Sequence, residues 1–159
     1  TNYSAHQSML VMEQPLIRIV LVDNHDLVRA SWKMLLQNNP RLSLIGEANN
    51  GADALEQARM HRPDIMLVDI NMSPMNGFEL TERVLANDPA VRVIGLSVHN
   101  QPRYANRLIE LGGAGYLTKT SPLDEINQGI LEVYHGRKYL CQEVRCNMSE
   151  EELRQNGWS

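Results

Sequence analysis

Short apolar runs alternate with segments of helical periodicity through most of the chain. The apolar runs are rich in β-branched residues, which is typical of buried strands. They are IRIVLV (17–22), LSLIGEA (42–48), IMLVD (65–69), VRVIGLS (91–97) and AGYLTK (114–119). Strands that are apolar on both faces belong in a parallel sheet covered by helices on both sides. The pattern therefore predicts an α/β fold with a doubly wound, five-stranded parallel sheet.

Each predicted strand is followed by a segment with one apolar helical face. In the segment DLVRASWKMLLQNN the spacing predicts a common face, which comprises Leu27, Ser31, Met34 and Leu35. Trp32, Met34 and Met66 are also predicted, from their own spacing, to lie in the core. The last such segment, SPLDEINQGILEVYHG, contains Gly129, which is expected to weaken that helix modestly.

Length and composition indicate one domain with two flanking segments. The chain has 159 residues, of which 43% are hydrophobic, enough for one core. Residues 1–15 lack periodicity and the features of a secretory signal, so a flexible lead is expected there. Residues 16–138 are predicted to form the domain, and 139–159 a linker or C-terminal tail.

Charge, hydropathy and cysteine content narrow the function classes. The formal net charge of −4 does not favour a nucleic-acid surface. No apolar run approaches the ~20 residues of a membrane span, so a cytoplasmic protein is expected. The two cysteines, Cys141 and Cys146, leave a disulfide, half a metal site or free thiols open. Free thiols are favoured because no further cysteine or paired histidine completes a ligand set.

Polar residues stand at the carboxyl ends of four predicted strands. They are Asp23 with Asn24 after the first strand, Asp69 in the third, Ser97 in the fourth and Lys119 in the fifth. Each has a plain structural explanation when taken alone: a loop cap, a strand-end hydroxyl or a solvated ammonium. Ligands of open parallel sheets bind at this edge, however, so the set as a whole predicts a functional site.

The residue types suggest phosphoryl chemistry. Repulsion between Asp23 and Asp69 would be relieved by a hard divalent cation such as Mg²⁺, which also favours phosphate oxygens. A carboxylate can attack a phosphoryl group and become an aspartyl phosphate. Lys119 would supply positive charge and Ser97 a hydrogen bond, which are the main requirements of phosphoryl transfer.

Four motifs in order, LVDNHDLVR, VDINMSPMNG, GLSVHN and GYLTK, resemble the receiver domain of two-component response regulators over residues 16–138. The resemblance implies a flavodoxin-like fold and a phosphoacceptor at Asp69, which a histidine kinase or phosphotransfer protein would serve. It also implies that Asp23 and the backbone carbonyl of Asn71 ligate Mg²⁺. Ser97 and Tyr116 would form the conformational switch, and Lys119 would pair with the phosphoryl oxygens.

Three stretches resemble regulators of the NarL type and so suggest a branch of the family. They are LVDNH, GYLTK without a following proline, and GRKYLCQEV. Such regulators carry a LuxR-type DNA-binding domain, for which about twenty residues are too few. The resemblance thus implies transcription regulation through an output domain absent from this chain, with a homodimer as a candidate state. No enzymatic turnover is expected beyond the domain's own phosphotransfer and autodephosphorylation.

Asn24 departs from the family pattern because it stands where a second acid is usual. An amide oxygen can ligate Mg²⁺ without adding charge, so weaker metal binding is predicted. This leaves a second function open, a phosphorylation-independent receiver that acts as a protein-interaction module. A small hydrolase with an aspartyl-phosphate intermediate ranks last, since it would need an acid at position 71. His25 is either a metal ligand or a plain loop residue, and the latter is favoured.

Overall fold

The computed structural model describes residues 14–158, and its centre is a parallel sheet in the order β2-β1-β3-β4-β5-β6. The strands are β1 (Ile17–Val22), β2 (Leu42–Ala48), β3 (Ile65–Asp69), β4 (Arg92–Ser97), β5 (Gly115–Thr118) and β6 (Tyr139–Leu140). The predicted doubly wound parallel fold is confirmed, but the predicted count of five strands is wrong. The sixth strand has two residues and pairs with β5. It is too short to appear as an apolar run.

Helices connect the strands and follow the last one. They are α1 (Asp26–Gln37), α2 (Gly51–His61), α3 (Gly77–Asn87), α4 (Pro102–Glu110), α5 (Leu123–Tyr134), α6 (Gln142–Arg145) and α7 (Glu150–Gln155). Asn50 and Asn76 cap α2 and α3 by accepting backbone N–H groups with their side chains. No helix within residues 14–158 is long and apolar enough to cross a membrane.

The core has two layers because successive residues of a strand point to opposite faces of the sheet. Ile19 and Leu21 of β1 join a cluster with buried residues of α1, α4 and α5. Val20 and Val22 join a second cluster with residues of α2 and α3. Burial on both faces explains why the strands are apolar throughout.

The predicted core face of α1 is wrong at Leu27, Ser31 and Met34, which are exposed, whereas Leu35 packs against the core. Leu27 and Met34 are 81% and 70% exposed, whereas Trp32 and Leu36 are buried. The segment carries two overlapping apolar faces at helical spacing, and the one containing Trp32 packs against the sheet. The predictions that Trp32 and Met66 belong to the core are confirmed.

Residues 139–158, called the docked segment below, fold back onto the domain. They comprise β6, α6 and α7. The buried residues that this segment adds to the cluster of α1, α4 and α5 are Leu140, Cys141, Val144, Met148, Leu153 and Trp158. The predicted lead, residues 1–15, lies almost wholly outside the described residues. Both cysteines are free.

Candidate functional site

The polar residues at the strand ends meet at one edge of the sheet. Asp23 follows β1, Asp69 ends β3, Ser97 ends β4 and Lys119 follows β5. Because neighbouring parallel strands end together, their side chains share one pocket at the switch point between β1 and β3. Asp23, Asp69 and Ser97 are fully buried, and the Lys119 side chain is 12% exposed.

Lys119 joins the two carboxylates. Its Nζ lies 2.9 Å from Asp23 Oδ2 and 3.2 Å from Asp69 Oδ2. The contact with Asp23 is a hydrogen bond. The contact with Asp69 is an ion pair without a hydrogen bond, and Asp69 Oδ2 accepts none from any other described residue. Two buried carboxylates therefore share one ammonium, and Asp69 keeps one oxygen free of hydrogen bonds.

The other carboxylate oxygens are fixed by local turns. The backbone N–H of His25 donates to Asp23 Oδ1 at 2.9 Å, and that of Asn71 donates to Asp69 Oδ1 at 3.0 Å. Each aspartate thus bonds to the backbone two residues further on, a turn that Asp readily forms. These bonds orient Asp69 so that Oδ2 is the oxygen directed toward Lys119.

Ser97 points toward Asn71 in this conformation. Its hydroxyl donates to Asn71 Oδ1 at 3.0 Å and accepts from the backbone N–H of His99 at 3.0 Å. The hydroxyl of Tyr116, which is fully buried, donates to the carbonyl of His99 at 2.7 Å. Burial raises the pKa of Tyr116 well above its usual range, so the phenol remains a donor. Both predicted switch residues therefore hold the loop of residues 98–100.

The pocket fits a divalent cation. Asp23, His25 and Asp69 each offer one ligand atom, and these atoms lie within 4.8 Å of one another. Two buried carboxylates side by side suit a hard cation, whose preferred ligands are carboxylate oxygens. Asn24 is exposed beside this group. The imidazole of His25, for which the sequence favoured a plain loop role, lies 3.5 Å from Asp23 Oδ1.

Arg29 and Glu47 support the pocket, and sequence reasoning missed both. Arg29 donates to the carbonyl of Asp23 at 2.8 Å and to Glu47 Oε1 at 3.1 Å. Glu47 also pairs with Lys33 at 2.7 Å, and these two cations, Lys33 first, lower the pKa of Glu47. Because Glu47 lies on β2 and Arg29 on α1, no sequence spacing indicated the contact.

The fold and this pocket define a class: a doubly wound α/β protein with paired carboxylates and a lysine at the switch point. The chain matches the response regulator receiver domain over residues 19–131 and belongs to that family. It is 34% identical over 129 residues to the response regulator GacA of Pseudomonas aeruginosa, covering 81% of this chain and 60% of that one. It is 31% identical over 134 residues to the response regulator UvrY of Escherichia coli, covering 84% and 62%. The chain thus spans about three fifths of these relatives.

Solved structures agree with this assignment. A two-component response regulator of the LuxR family from Aurantimonas matches with a TM-score of 0.82 and 29% identity, over 87% of this chain and 99% of that one. The receiver domain of the putative response regulator NarL from Mycobacterium tuberculosis matches with a TM-score of 0.74 and 32% identity, over 78% and 100%. The predicted resemblance to receivers is confirmed.

Proposed function

We propose that the protein is a phosphoacceptor receiver in which Asp69 takes a phosphoryl group from a histidine kinase or phosphotransfer protein. The observation that carries this proposal is the position of Asp69 Oδ2. This buried oxygen lies 3.2 Å from the Lys119 ammonium and accepts no hydrogen bond within the described part of the chain. This oxygen attacks phosphorus and forms an acyl phosphate, while the bond from phosphorus to the donor breaks and the donor leaves. No turnover is proposed beyond this transfer and the later hydrolysis.

The chain's own residues supply the remaining requirements. Asp23, Asp69, the amide of Asn24 and the backbone carbonyl of Asn71 would hold Mg²⁺, which would neutralise charge on the phosphoryl oxygens. Lys119, already between the carboxylates, pairs with a phosphoryl oxygen. Ser97 turns its hydroxyl from Asn71 toward another phosphoryl oxygen. Because the N–H of His99 is bonded to that hydroxyl, the loop moves with it.

The phosphorylated state would act on an output. The relatives GacA and UvrY are response regulators longer than this chain, and one structural match is a two-component regulator of the LuxR family. By analogy, the switch regulates transcription through an output domain or through a homodimer. In this proposal DNA is contacted only by the output domain, and the receiver works in the cytoplasm.

The second candidate function is a protein-interaction module that works without phosphorylation. It is favoured by Asn24, which brings no charge to the metal site. In that case the pocket would be a structural remnant, and the domain would bind its partner in one state.

Intact mass measurement after incubation with acetyl phosphate and Mg²⁺ separates these functions. We expect the parent protein to gain one phosphoryl group and Asp69→Asn to gain none. Asp124→Asn is the matched control, since Asp124 is an exposed carboxylate in the first turn of α5, and it should behave as the parent does. No gain at any Mg²⁺ concentration, beside a control receiver that is phosphorylated, would favour the interaction module.

A further inference from the structure

The docked segment lies on the strand that carries Tyr116. The backbone N–H groups of Tyr139 and Cys141 donate to the carbonyls of Ala114 and Tyr116, each at 3.0 Å. Leu140 is the register partner of Tyr116. The segment thus closes the edge of β5 and contacts the main chain of a switch residue directly.

The same segment reaches the loop that follows Ser97. The side-chain amide of Asn147 donates to the carbonyl of Asn100 at 3.2 Å. The indole N–H of Trp158 donates to Asn106 Oδ1 on α4 at 3.1 Å, and Trp158 itself is 4% exposed. The segment therefore contacts the loop, α4 and β5 together.

The loop of residues 98–100 is held from two sides. Tyr116 bonds to the carbonyl of His99 from the sheet, and Asn147 bonds to the carbonyl of Asn100 from the docked segment. The loop in turn holds Ser97 through the N–H of His99, in the orientation that faces Asn71. In the proposed function, a phosphoryl group on Asp69 draws the Ser97 hydroxyl away from Asn71, and this opposes the contacts that the segment makes with the loop.

We infer that the docked segment is a detachable intramolecular partner of the face formed by α4 and β5, and that its docking and the phosphorylation of Asp69 oppose each other. This inference rests on the proposed function. Because coupling between two sites is reciprocal, phosphorylation weakens docking by the same factor by which docking weakens phosphorylation. Release of the segment would expose the edge of β5 and the apolar face of α4.

Cys141 provides a direct probe of docking. It is fully buried within the segment, and burial raises the pKa of its thiol, whereas Cys146 is exposed. The variant Cys146→Ser leaves Cys141 as the single thiol, and its rate of reaction with Ellman's reagent measures release. We expect acetyl phosphate with Mg²⁺ to raise this rate at least about fivefold, the lower end of typical allosteric coupling. The double variant Cys146→Ser/Asp69→Asn should show no change.

The effect of docking on phosphorylation is tested with Asn147→Ala in the Cys146→Ser protein. This variant should label faster at Cys141 and take up the phosphoryl group faster from acetyl phosphate, because the loop has lost one tether. Gln155→Ala is the matched control, since Gln155 is exposed on α7 and its side-chain amide donates to Glu151 of the same helix. Equal rates in these two variants would overturn the inference.

Parallel mass measurement keeps the two proposals distinguishable. A phosphoryl gain with unchanged Cys141 labelling would overturn the inference and leave the proposed function standing. Absence of any phosphoryl gain would overturn the proposed function, and the inference with it.

Discussion

Asp69 and Asp23 share the ammonium of Lys119 but differ in the hydrogen bonds that their carboxylate oxygens accept. Asp69 Oδ2 accepts no hydrogen bond from residues 14–158, while both oxygens of Asp23 do accept one. A buried charge without full compensation destabilises the fold, so Asp69→Asn should raise the free energy of unfolding by about 1 kcal/mol. Asp23→Asn should lower it, because that change breaks a satisfied pair. Urea unfolding without Mg²⁺ measures both, and an Asp69→Asn protein less stable than the parent would contradict this account.

Asn24 should limit the affinity of the pocket for Mg²⁺. Asn24→Asp adds a charged ligand beside Asp23, and we expect affinity to rise roughly tenfold, equivalent to about 1.4 kcal/mol. Isothermal titration with Mg²⁺, without any phosphoryl donor, measures this directly. Gln128→Glu adds the same charge at an exposed position on α5 and should leave affinity unchanged. An unchanged affinity in Asn24→Asp would show that the side chain at position 24 does not ligate the metal.

Individual site residues could be predicted from the sequence where a polar side chain interrupts or ends an apolar run. Asp69 and Lys119 stood out because each is a charged residue next to an apolar run. The bond from Ser97 to the Asn71 side chain was not predictable, since it depends on the shape of a loop. Met34 was assigned to the core wrongly because two helical faces of α1 fit the spacing equally well.

Gly129 of α5 packs so closely against Tyr139 of β6 that a larger residue would clash there. A Cβ at this position of α5 would lie 2.8 Å from a ring carbon of Tyr139, whose hydroxyl is held by Glu125 at 2.7 Å. Gly129→Ala should therefore lower the free energy of unfolding by about 1 kcal/mol, although alanine favours helix. In a Tyr139→Ala background the clash disappears, and the same substitution should raise stability by about 1 kcal/mol. Thermal or urea unfolding of the four proteins tests this, and the same sign in both backgrounds would contradict it.

Elements were predictable in proportion to their length. The strands β1 to β5 are apolar runs of four or more residues, so their alternation with helices indicated the sheet. The strand β6 has two residues and exists because the N–H groups of Tyr139 and Cys141 bond to carbonyls of Ala114, just before β5, and of Tyr116 within it. Such an element is defined by its tertiary partner, and no local periodicity marks it.

At the scale of the whole molecule, the docked segment should be the first part to open. Its helices have four and six residues, too short to be stable alone, so it stays folded only through contacts with the domain. In Trp32→Phe the remaining tryptophan, Trp158, reports on the segment, and in Trp158→Phe the remaining Trp32 reports on the core. We expect the Trp158 fluorescence transition in urea to precede the far-ultraviolet circular dichroism transition of the same variant. In Trp158→Phe, the Trp32 fluorescence transition should coincide with the circular dichroism transition of that variant. Coincidence in both variants would mean that the segment opens only when the whole domain unfolds, and phosphorylation could then not release it separately.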